Sequence, residues 1–198
     1  MNVLHSAALT LVLFFVAPLA GAQSALEAFN KSVNTLSGRF WQQDGAGGTA
    51  QRQTGRFWLD RQRGSLRWEV EQPGKQVIVV DQGRVYHLDT EVAQLTIAPL
   101  DQSLSKTPAM LLARRDAVMQ GFTIQSKDTN WFRLTPKEPG EFSAVGLLFR
   151  DLKPIEMELT WTHGDTSRIG FEAVRLNEAI PPQIFHLEPP PGVDVVGP

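Results

Sequence analysis

Residues 56–98 read RFWLDRQRGSLRWEVEQPGKQVIVVDQGRVYHLDTEVAQLTIA, and this stretch decides the fold. Short runs in which apolar and polar residues alternate are separated by Gly, Pro or acidic residues. The runs are Arg56–Asp60, Leu66–Val70, Val77–Asp81, Val85–Asp89 and Gln94–Ala98. A period of two indicates β-strands, and short separators rich in turn-forming residues indicate antiparallel hairpins. The stretch therefore predicts a β meander.

Similar runs continue in both directions along the chain. They are Phe40–Asp44 on the amino-terminal side and Phe122–Ser126, Trp131–Thr135, Ala144–Arg150, Ile155–Thr162 and Ser167–Leu176 on the other. Many short, evenly spaced strands in one domain favour a sheet curled into a barrel, which protects its edges. We expect a mainly β fold of the α+β class.

One amphipathic helix is predicted before the first strand. Ser24 and Glu27 have the spacing of a capping box, in which each side chain pairs with the backbone of the other. Apolar residues then recur at helical intervals until Ser37 and Gly38, at Leu26, Phe29, Val33 and Leu36.

An insert of different character, Pro99 to Gly121, separates the two series of strands. Thr107 is placed to cap a helix, and Pro108 suits its first turn. The residues that follow are apolar almost without interruption, among them Met110, Leu111 and Leu112. Two interpretations stay open: a core helix that plugs the barrel, or a lid over an apolar cavity, where adaptable methionine would suit flexible acyl chains.

The amino-terminal stretch Met1–Ala22 is typical of a cleaved secretory signal peptide. It has no Asp, Glu, Lys or Arg, and an apolar run precedes the small residues Ala20, Gly21 and Ala22. The run is shorter than the roughly 20 residues that a membrane-spanning helix needs. We expect an exported protein with residues 23–198 as a single domain.

Composition and charge exclude several classes of function. The 198 residues include 19 Lys and Arg against 21 Asp and Glu, and there is no cysteine. Without cysteine there is no thiol nucleophile, no iron–sulfur site and no lipidated amino terminus. The net charge of −2 gives no basic surface for nucleic acid.

The sequence contains no recognisable catalytic motif. His87 and Asp89 have strand spacing, but no third or fourth metal ligand lies nearby in the sequence. We therefore expect no enzymatic activity, no metal and no cofactor.

Arg61 has the same strand parity as Phe57 and Leu59, so an extended chain would place this arginine on an apolar face. There it would need acceptors and would serve as a latch that donates hydrogen bonds to helix carbonyls. The alternative is that Arg61 lies beyond the end of the strand and is solvated.

The chain resembles the LolA family of periplasmic outer-membrane lipoprotein carriers. The resemblance covers nearly the whole chain after the signal peptide. It is carried by the order and spacing of FWQQ (40–43), GRFWLDR (55–61), LRW (66–68), VIVVD (77–81), TPAMLLA (107–113) and FHLEPPPGVDVV (185–196).

The resemblance implies an incomplete antiparallel β-barrel with an amino-terminal helix and a helical lid, residues 99–121, over a hydrophobic cavity. By the same resemblance Arg61 is the residue that hydrogen-bonds the lid in the empty form, although Arg63 could share or take that role. The implied cavity residues are Phe40, Phe57, Leu59, Leu66 and Trp68, and the implied lid residues are Thr107, Pro108, Met110, Leu111 and Leu112.

The implied function is that of a monomeric periplasmic carrier that shields the acyl chains of lipoproteins. The implied partners are an inner-membrane ABC transporter of the Lol system, which hands over the cargo, and an outer-membrane receptor lipoprotein, which accepts it. A divergent carrier of lipid or glycolipid, or a lipid-sensing regulatory domain on the same fold, stays open as an alternative.

Overall fold

The computed structural model describes residues 24–45, 52–100, 109–114 and 120–197. The predicted signal peptide lies outside the described residues, as do Thr107, Pro108 and much of the predicted lid. In the described part, strands dominate and helices are few, which confirms the mainly β prediction.

Twelve strands are found in these ranges. They are Thr35–Asp44 (β1), Gln53–Asp60 (β2), Ser65–Gln72 (β3), Gln76–Asp81 (β4), Arg84–Asp89 (β5), Gln94–Pro99 (β6), Phe122–Ser126 (β7), Trp131–Pro136 (β8), Phe142–Arg150 (β9), Lys153–Trp161 (β10), Thr166–Leu176 (β11) and Asp194–Val196 (β12).

All twelve strands form one sheet in the order β12-β6-β5-β4-β3-β2-β1-β11-β10-β9-β8-β7. Two antiparallel meanders, β1–β6 and β7–β11, are joined where β1 pairs with β11. The edges β12 and β7 do not pair with each other, so the sheet is open rather than a closed barrel.

The alternation of side chains gives the sheet an inner and an outer face. On β3, for example, Leu66, Trp68 and Val70 are buried in the main core, whereas Arg67 and Glu69 between them are part-exposed. Residues from both meanders belong to this one core. The inner faces of the two halves are therefore packed together with the helices.

The amino-terminal helix, Ala25–Ser32 (α1), begins as predicted. Ser24 accepts a hydrogen bond from the backbone N–H of Glu27, and the Glu27 side chain accepts one from the backbone of Ser24, which completes the capping box. Leu26 and Phe29 are buried.

The predicted carboxyl end of this helix is wrong, because Val33 is already extended and Leu36 belongs to β1. The Asn34 backbone N–H donates to the Asn177 side chain (2.7 Å), and Thr35 pairs with Asp60. These long-range hydrogen bonds replace the next helical turn. A second helix is short, Met110–Ala113 (α2). No helix among the described ranges has the length and hydropathy to cross a bilayer.

The carboxyl-terminal segment covers part of the outer face. A turn of 3₁₀ helix, Pro182–Phe185, contacts β3 and β4, and β12 adds to β6 as a parallel strand. The Arg67 guanidinium donates to the Ile184 carbonyl oxygen (3.1 Å), and Phe185 is buried. Three residues on the outer face of the β3–β6 meander are also buried, although they do not belong to the main core. They are Val79, Leu88 and Leu95.

Candidate functional site

The residues predicted to line a cavity lie on the inner face of β1, β2 and β3 and are buried. They are Phe40, Phe57, Leu59, Leu66 and Trp68. The rings of Phe40 and Trp68 stack with their centroids 3.7 Å apart, and Phe57 lies 5.9 Å from Trp68. In this structure these side chains pack against one another and form part of the main core.

A cavity of about 230 Å³ opens beside them. Of the five predicted residues, only Trp68 lines it. The lining is part apolar and part polar and comprises Gln42, Gln53, Trp68, Val70, Gln76, Ile78, His87, Ala109, Trp161 and Ile169. Sequence reasoning missed the three glutamines, although their inward strand parity could have identified Gln42 and Gln76.

Helix α2 lies over the inner face and contacts β2 and β3. Met110 and Leu112 are buried in the main core, and Leu111 is partly buried against it. Ala109, which directly precedes the helix, lines the cavity. The predicted Thr107 cap and Pro108 lie outside the described residues, so the start of the predicted helix is not tested.

Arg61 lies one residue beyond the end of β2, in the turn that joins β2 to β3. It is nevertheless only 5% exposed. Its backbone N–H donates to the Asn34 carbonyl oxygen (2.8 Å), which ties the turn to the segment after α1. Arg61 thus lies beyond the end of the strand, as the second interpretation has it, but it is buried rather than solvated. Its role as a latch stays a prediction.

The Arg61 guanidinium connects the two helices. Its Nε donates to the Leu112 carbonyl oxygen of α2 (2.8 Å). Nη1 donates to the carbonyl oxygens of Phe29 (3.1 Å) and Val33 (3.0 Å), and Nη2 donates to Asn30 Oδ1 (2.6 Å). The guanidinium carbon also lies 4.3 Å from the centroid of the Phe29 ring.

These contacts suit a buried cation. Carbonyl groups at the end of a helix carry the negative end of its dipole. The Phe29 carbonyl oxygen lies there and accepts from the Val33 N–H (3.0 Å) as well as from Arg61. The planar guanidinium supplies several N–H donors in a fixed arrangement. The polar groups of Arg61 are thus matched to the end of α1 and to the backbone of α2.

Arg63 is placed differently. Its side chain is 55% exposed, and Nε pairs with the carboxylate of Asp60 at 3.6 Å. Between the two arginines of this turn, it is therefore Arg61 that donates to the backbone of α2.

Three rows of aligned residues cross β3 to β6 on the inner face. The row nearest Arg61 is apolar, the middle row is mixed, and the row farthest from Arg61 is mostly polar. The rows are Leu66, Val80, Val85 and Ala98; Trp68, Ile78, His87 and Thr96; and Val70, Gln76, Asp89 and Gln94.

His87 and Asp89 do not form part of a metal cluster within the described ranges, where no group of three suitable side chains occurs. Asp89 Oδ2 accepts a hydrogen bond from Gln76 Nε2 (3.0 Å). His87 Nε2 is buried and has no hydrogen-bond partner in the described structure.

Comparison with known proteins places this architecture in a family. Residues 31–188 match the family described as "Outer membrane lipoprotein carrier protein LolA". Proteins named outer-membrane lipoprotein carrier protein are similar over most of their length. The one from Chromohalobacter salexigens is 35% identical, with 89% of this chain and 87% of the relative aligned. The one from Methylococcus capsulatus is 36% identical (87% and 86%), and the one from Bordetella pertussis is 32% identical (99% of each).

Solved structures share the fold at much lower identity. An uncharacterized conserved protein from Thermus thermophilus aligns with a TM-score of 0.52 at 15% identity, covering 87% of this chain and 94% of that one. A LolA superfamily protein from Nitrosomonas europaea aligns with a TM-score of 0.50 at 13% identity, covering 82% and 96%. The family match and the identities above 30% confirm the resemblance seen in the sequence, and the chain therefore belongs to the LolA family of outer-membrane lipoprotein carrier proteins.

Proposed function

We propose that this protein is a periplasmic carrier that shields the acyl chains of lipoproteins between the two membranes. It accepts them from an inner-membrane ABC transporter and delivers them to an outer-membrane receptor lipoprotein, with no chemical step. Membership of the carrier family supports the cargo class. The contacts of Arg61 carry the argument for how loading and release occur.

Helix α2 is the lid in this proposal. Its buried residues Met110, Leu112 and Ala113 cover the inner face, whose Phe57, Leu59 and Leu66 would meet the acyl chains once the lid lifts. In this proposal the closed, empty state is the one in which Met110 and Leu112 fill space that the cargo would occupy.

The guanidinium hydrogen bonds of Arg61 described above are shared unequally between the two helices. Three go to α1 and the residue after it, and one goes to α2. Lid opening therefore needs to break the bond from Nε to Leu112, while the bonds to Phe29, Asn30 and Val33 hold the arginine in place. Arg61 is the fixed side of the latch, and α2 is the moving side.

A carrier of this kind must not bind its cargo too tightly. Burial of an acyl chain is favourable by about 0.8 kcal/mol per CH₂ group, so a long chain does not leave for water at a useful rate. A hydrogen bond from a charged donor contributes about 1.5–3 kcal/mol. Because the Arg61 bond forms in the empty state, it weakens cargo retention and assists release to the receptor.

The test is Arg61→Leu, which replaces the guanidinium and its hydrogen bonds with an apolar side chain. We expect this variant to retain cargo and to block handover to the outer-membrane receptor. The measurement is the fraction of a radiolabelled lipoprotein that a purified cargo complex transfers to receptor-containing outer membranes. Arg63→Leu is the matched control, because Arg63 lies in the same turn but is exposed and pairs with Asp60.

Handover by Arg61→Leu at the rate of the unaltered protein, at equal protein concentration, would contradict the latch. Failure of the unaltered protein to hold any lipoprotein would contradict the carrier function itself.

A further inference from the structure

The inner face changes from apolar to polar along the strands. The three rows that cross β3 to β6 go from Leu66, Val80 and Val85 at the Arg61 end to Gln76, Asp89 and Gln94 at the other. Neighbouring rows are two residues apart, which is about 7 Å along a strand. His87 stands in the middle row, at the boundary between the two kinds of surface.

The buried nitrogen of His87 has no partner. Its Nε2 is shielded from solvent and makes no hydrogen bond in the described structure, while the residue lines the cavity together with Ala109 of the α2 segment. A buried polar atom without a partner destabilises the state in which it occurs and calls for an explanation.

Side-chain amides surround the same cavity. Gln42 and Gln53 are directly opposite each other on β1 and β2, and Gln76 lies one row beyond His87. Gln42 donates to Asp44 (3.1 Å) and Gln76 donates to Asp89 (3.0 Å). Each amide nitrogen carries two N–H groups, so these bonds leave further donor capacity toward the cavity.

We propose that His87 and the cavity glutamines form a subsite for the carbonyl oxygens that join acyl chains to the polar part of a lipid. This inference rests on the proposed carrier function. An ester carbonyl accepts hydrogen bonds and cannot donate them, so it fits an N–H of His87, in the tautomer protonated on Nε2, and the glutamine amides. The ester carbonyl also lies where a lipid changes from its polar part to its apolar chain. The middle row lies at the corresponding boundary of the inner face.

The subsite gives the cargo a direction and a depth. The hydrocarbon lies along the apolar row toward Arg61, the carbonyls stop at the middle row, and the head group points toward the end of the sheet that carries Gln42 and Gln76. When α2 lifts and a lipid enters, His87 Nε2 gains the partner that it lacks in the empty state.

The experiment compares two probes that differ only in their carbonyl groups. One is a synthetic triacylated lipopeptide with two glyceryl esters, and the other is its analogue with ether links in their place. Binding to the protein purified from the periplasm is measured by fluorescence anisotropy of a dye on the peptide. We expect the ester probe to bind about five- to twentyfold more tightly, the effect of one or two hydrogen bonds.

The variant is His87→Phe, which keeps a ring of similar shape and removes both nitrogens. We expect the ester preference, the ratio of the affinities for the ester and ether probes, to fall to less than half its value. The melting temperature of the empty protein should stay the same or rise, because the unpartnered buried atom is removed. The matched control is His186→Phe, whose imidazole is 70% exposed and outside the cavity, and which should keep the full preference.

Equal affinity of the unaltered protein for both probes would overturn the subsite but leave the carrier function intact. A full ester preference in His87→Phe would show that His87 does not bind the carbonyl groups, and it too would leave the carrier function intact. Binding of neither probe would contradict the carrier function. A diacylphosphatidylethanolamine competitor separates the sources of the carbonyl: competition that also depends on His87 extends the subsite to phospholipids, and its absence restricts it to lipoproteins.

Discussion

Gly55 lies where the backbone of β3 and the ring of Phe40 come closest to β2. A Cβ atom at this position would overlap the Glu69 carbonyl oxygen and lie 2.6 Å from the Phe40 ring. The ring can shift only by disturbing its stack with Trp68. The absence of a side chain at residue 55 is therefore a condition for the packing of the proposed cavity wall.

Gly55→Ala should lower the free energy of unfolding by about 1–3 kcal/mol, because backbone and packed rings have to move. Urea unfolding followed by tryptophan fluorescence measures the change. Gly146→Ala is the matched control, since its Cβ would lie 3.5 Å from the nearest atom, on Trp131. That variant should be neutral or more stable by up to about 1 kcal/mol. Equal destabilisation of both would show that the close approach at Gly55 does not decide the outcome.

The carboxylate of Asp128 stabilises the turn between β7 and β8. It accepts hydrogen bonds from the backbone N–H groups of Asn130 (2.7 Å) and Trp131 (2.8 Å), and these lower its pKa below the usual 3.8. Because the folded pKa is below the unfolded one, the stabilisation is present above pH 3.8 and is lost as the pH falls through the folded value.

Asp128→Ala should therefore unfold at lower urea than the unaltered protein at pH 7, and the gap should narrow as the pH is taken below 3.8. A gap that stays constant from pH 7 to pH 3 would mean that the charged form contributes nothing beyond the shape of the turn.

Single residues also show what the sequence can and cannot predict. Strand parity was sufficient to associate Arg61 with Phe57 and Leu59, but its acceptors on Phe29, Val33 and Leu112 lie 28 to 51 positions away. The spacing of His87 and Asp89 in the sequence suggests only a pair of metal ligands. Its position between an apolar and a polar row depends on the register of four strands, which the sequence does not display.

At the scale of elements, the carboxyl-terminal segment stabilises the outer face of the β3–β6 meander. Phe185 is 3% exposed in a segment that is otherwise held by the Arg67 bond to Ile184 and by the pairing of β12 with β6. Loss of a buried phenylalanine side chain leaves a cavity as well as lost apolar contact.

Phe185→Ala should reduce the free energy of unfolding by about 3–5 kcal/mol. Val195→Ala, in the same segment but 47% exposed, should change it by less than about 0.5 kcal/mol. Both are measured by urea unfolding. A change below about 1 kcal/mol for Phe185→Ala would mean that the segment is attached to the sheet without contributing to its stability.

The eleven strands predicted from alternation are present, with ends that differ by a few residues, because each is marked by local turn residues. The elements that were missed depend on distant partners. β12 has three residues and pairs in parallel with β6, about a hundred positions earlier. Helix α1 ends early because Asn34 bonds to Asn177, a contact that periodicity in residues 26–36 does not reveal.

At the scale of the whole molecule, the chain forms two meanders whose junction, β1 with β11, is its longest-range antiparallel pairing. The order within each meander follows from hairpins and was predictable. The junction, the open edges and the relation of the sheet to α2 do not follow from alternation and turns alone, because they depend on curvature and packing of the complete inner face. The two ends of the inner face then differ: Arg61 and α1 lie at one, and the amides of the cavity lie at the other.

The uneven sharing of the Arg61 hydrogen bonds has a kinetic consequence. If opening breaks only the bond to Leu112, a contribution of about 2 kcal/mol slows it roughly 30-fold relative to a lid without the bond. Lid motions in proteins commonly occur in microseconds to milliseconds, so this factor moves a lid of that kind into the range of roughly tens of microseconds to tens of milliseconds. In the proposed cycle the latch thus sets both how often the carrier is found closed and how long an empty carrier waits before it can admit a lipoprotein.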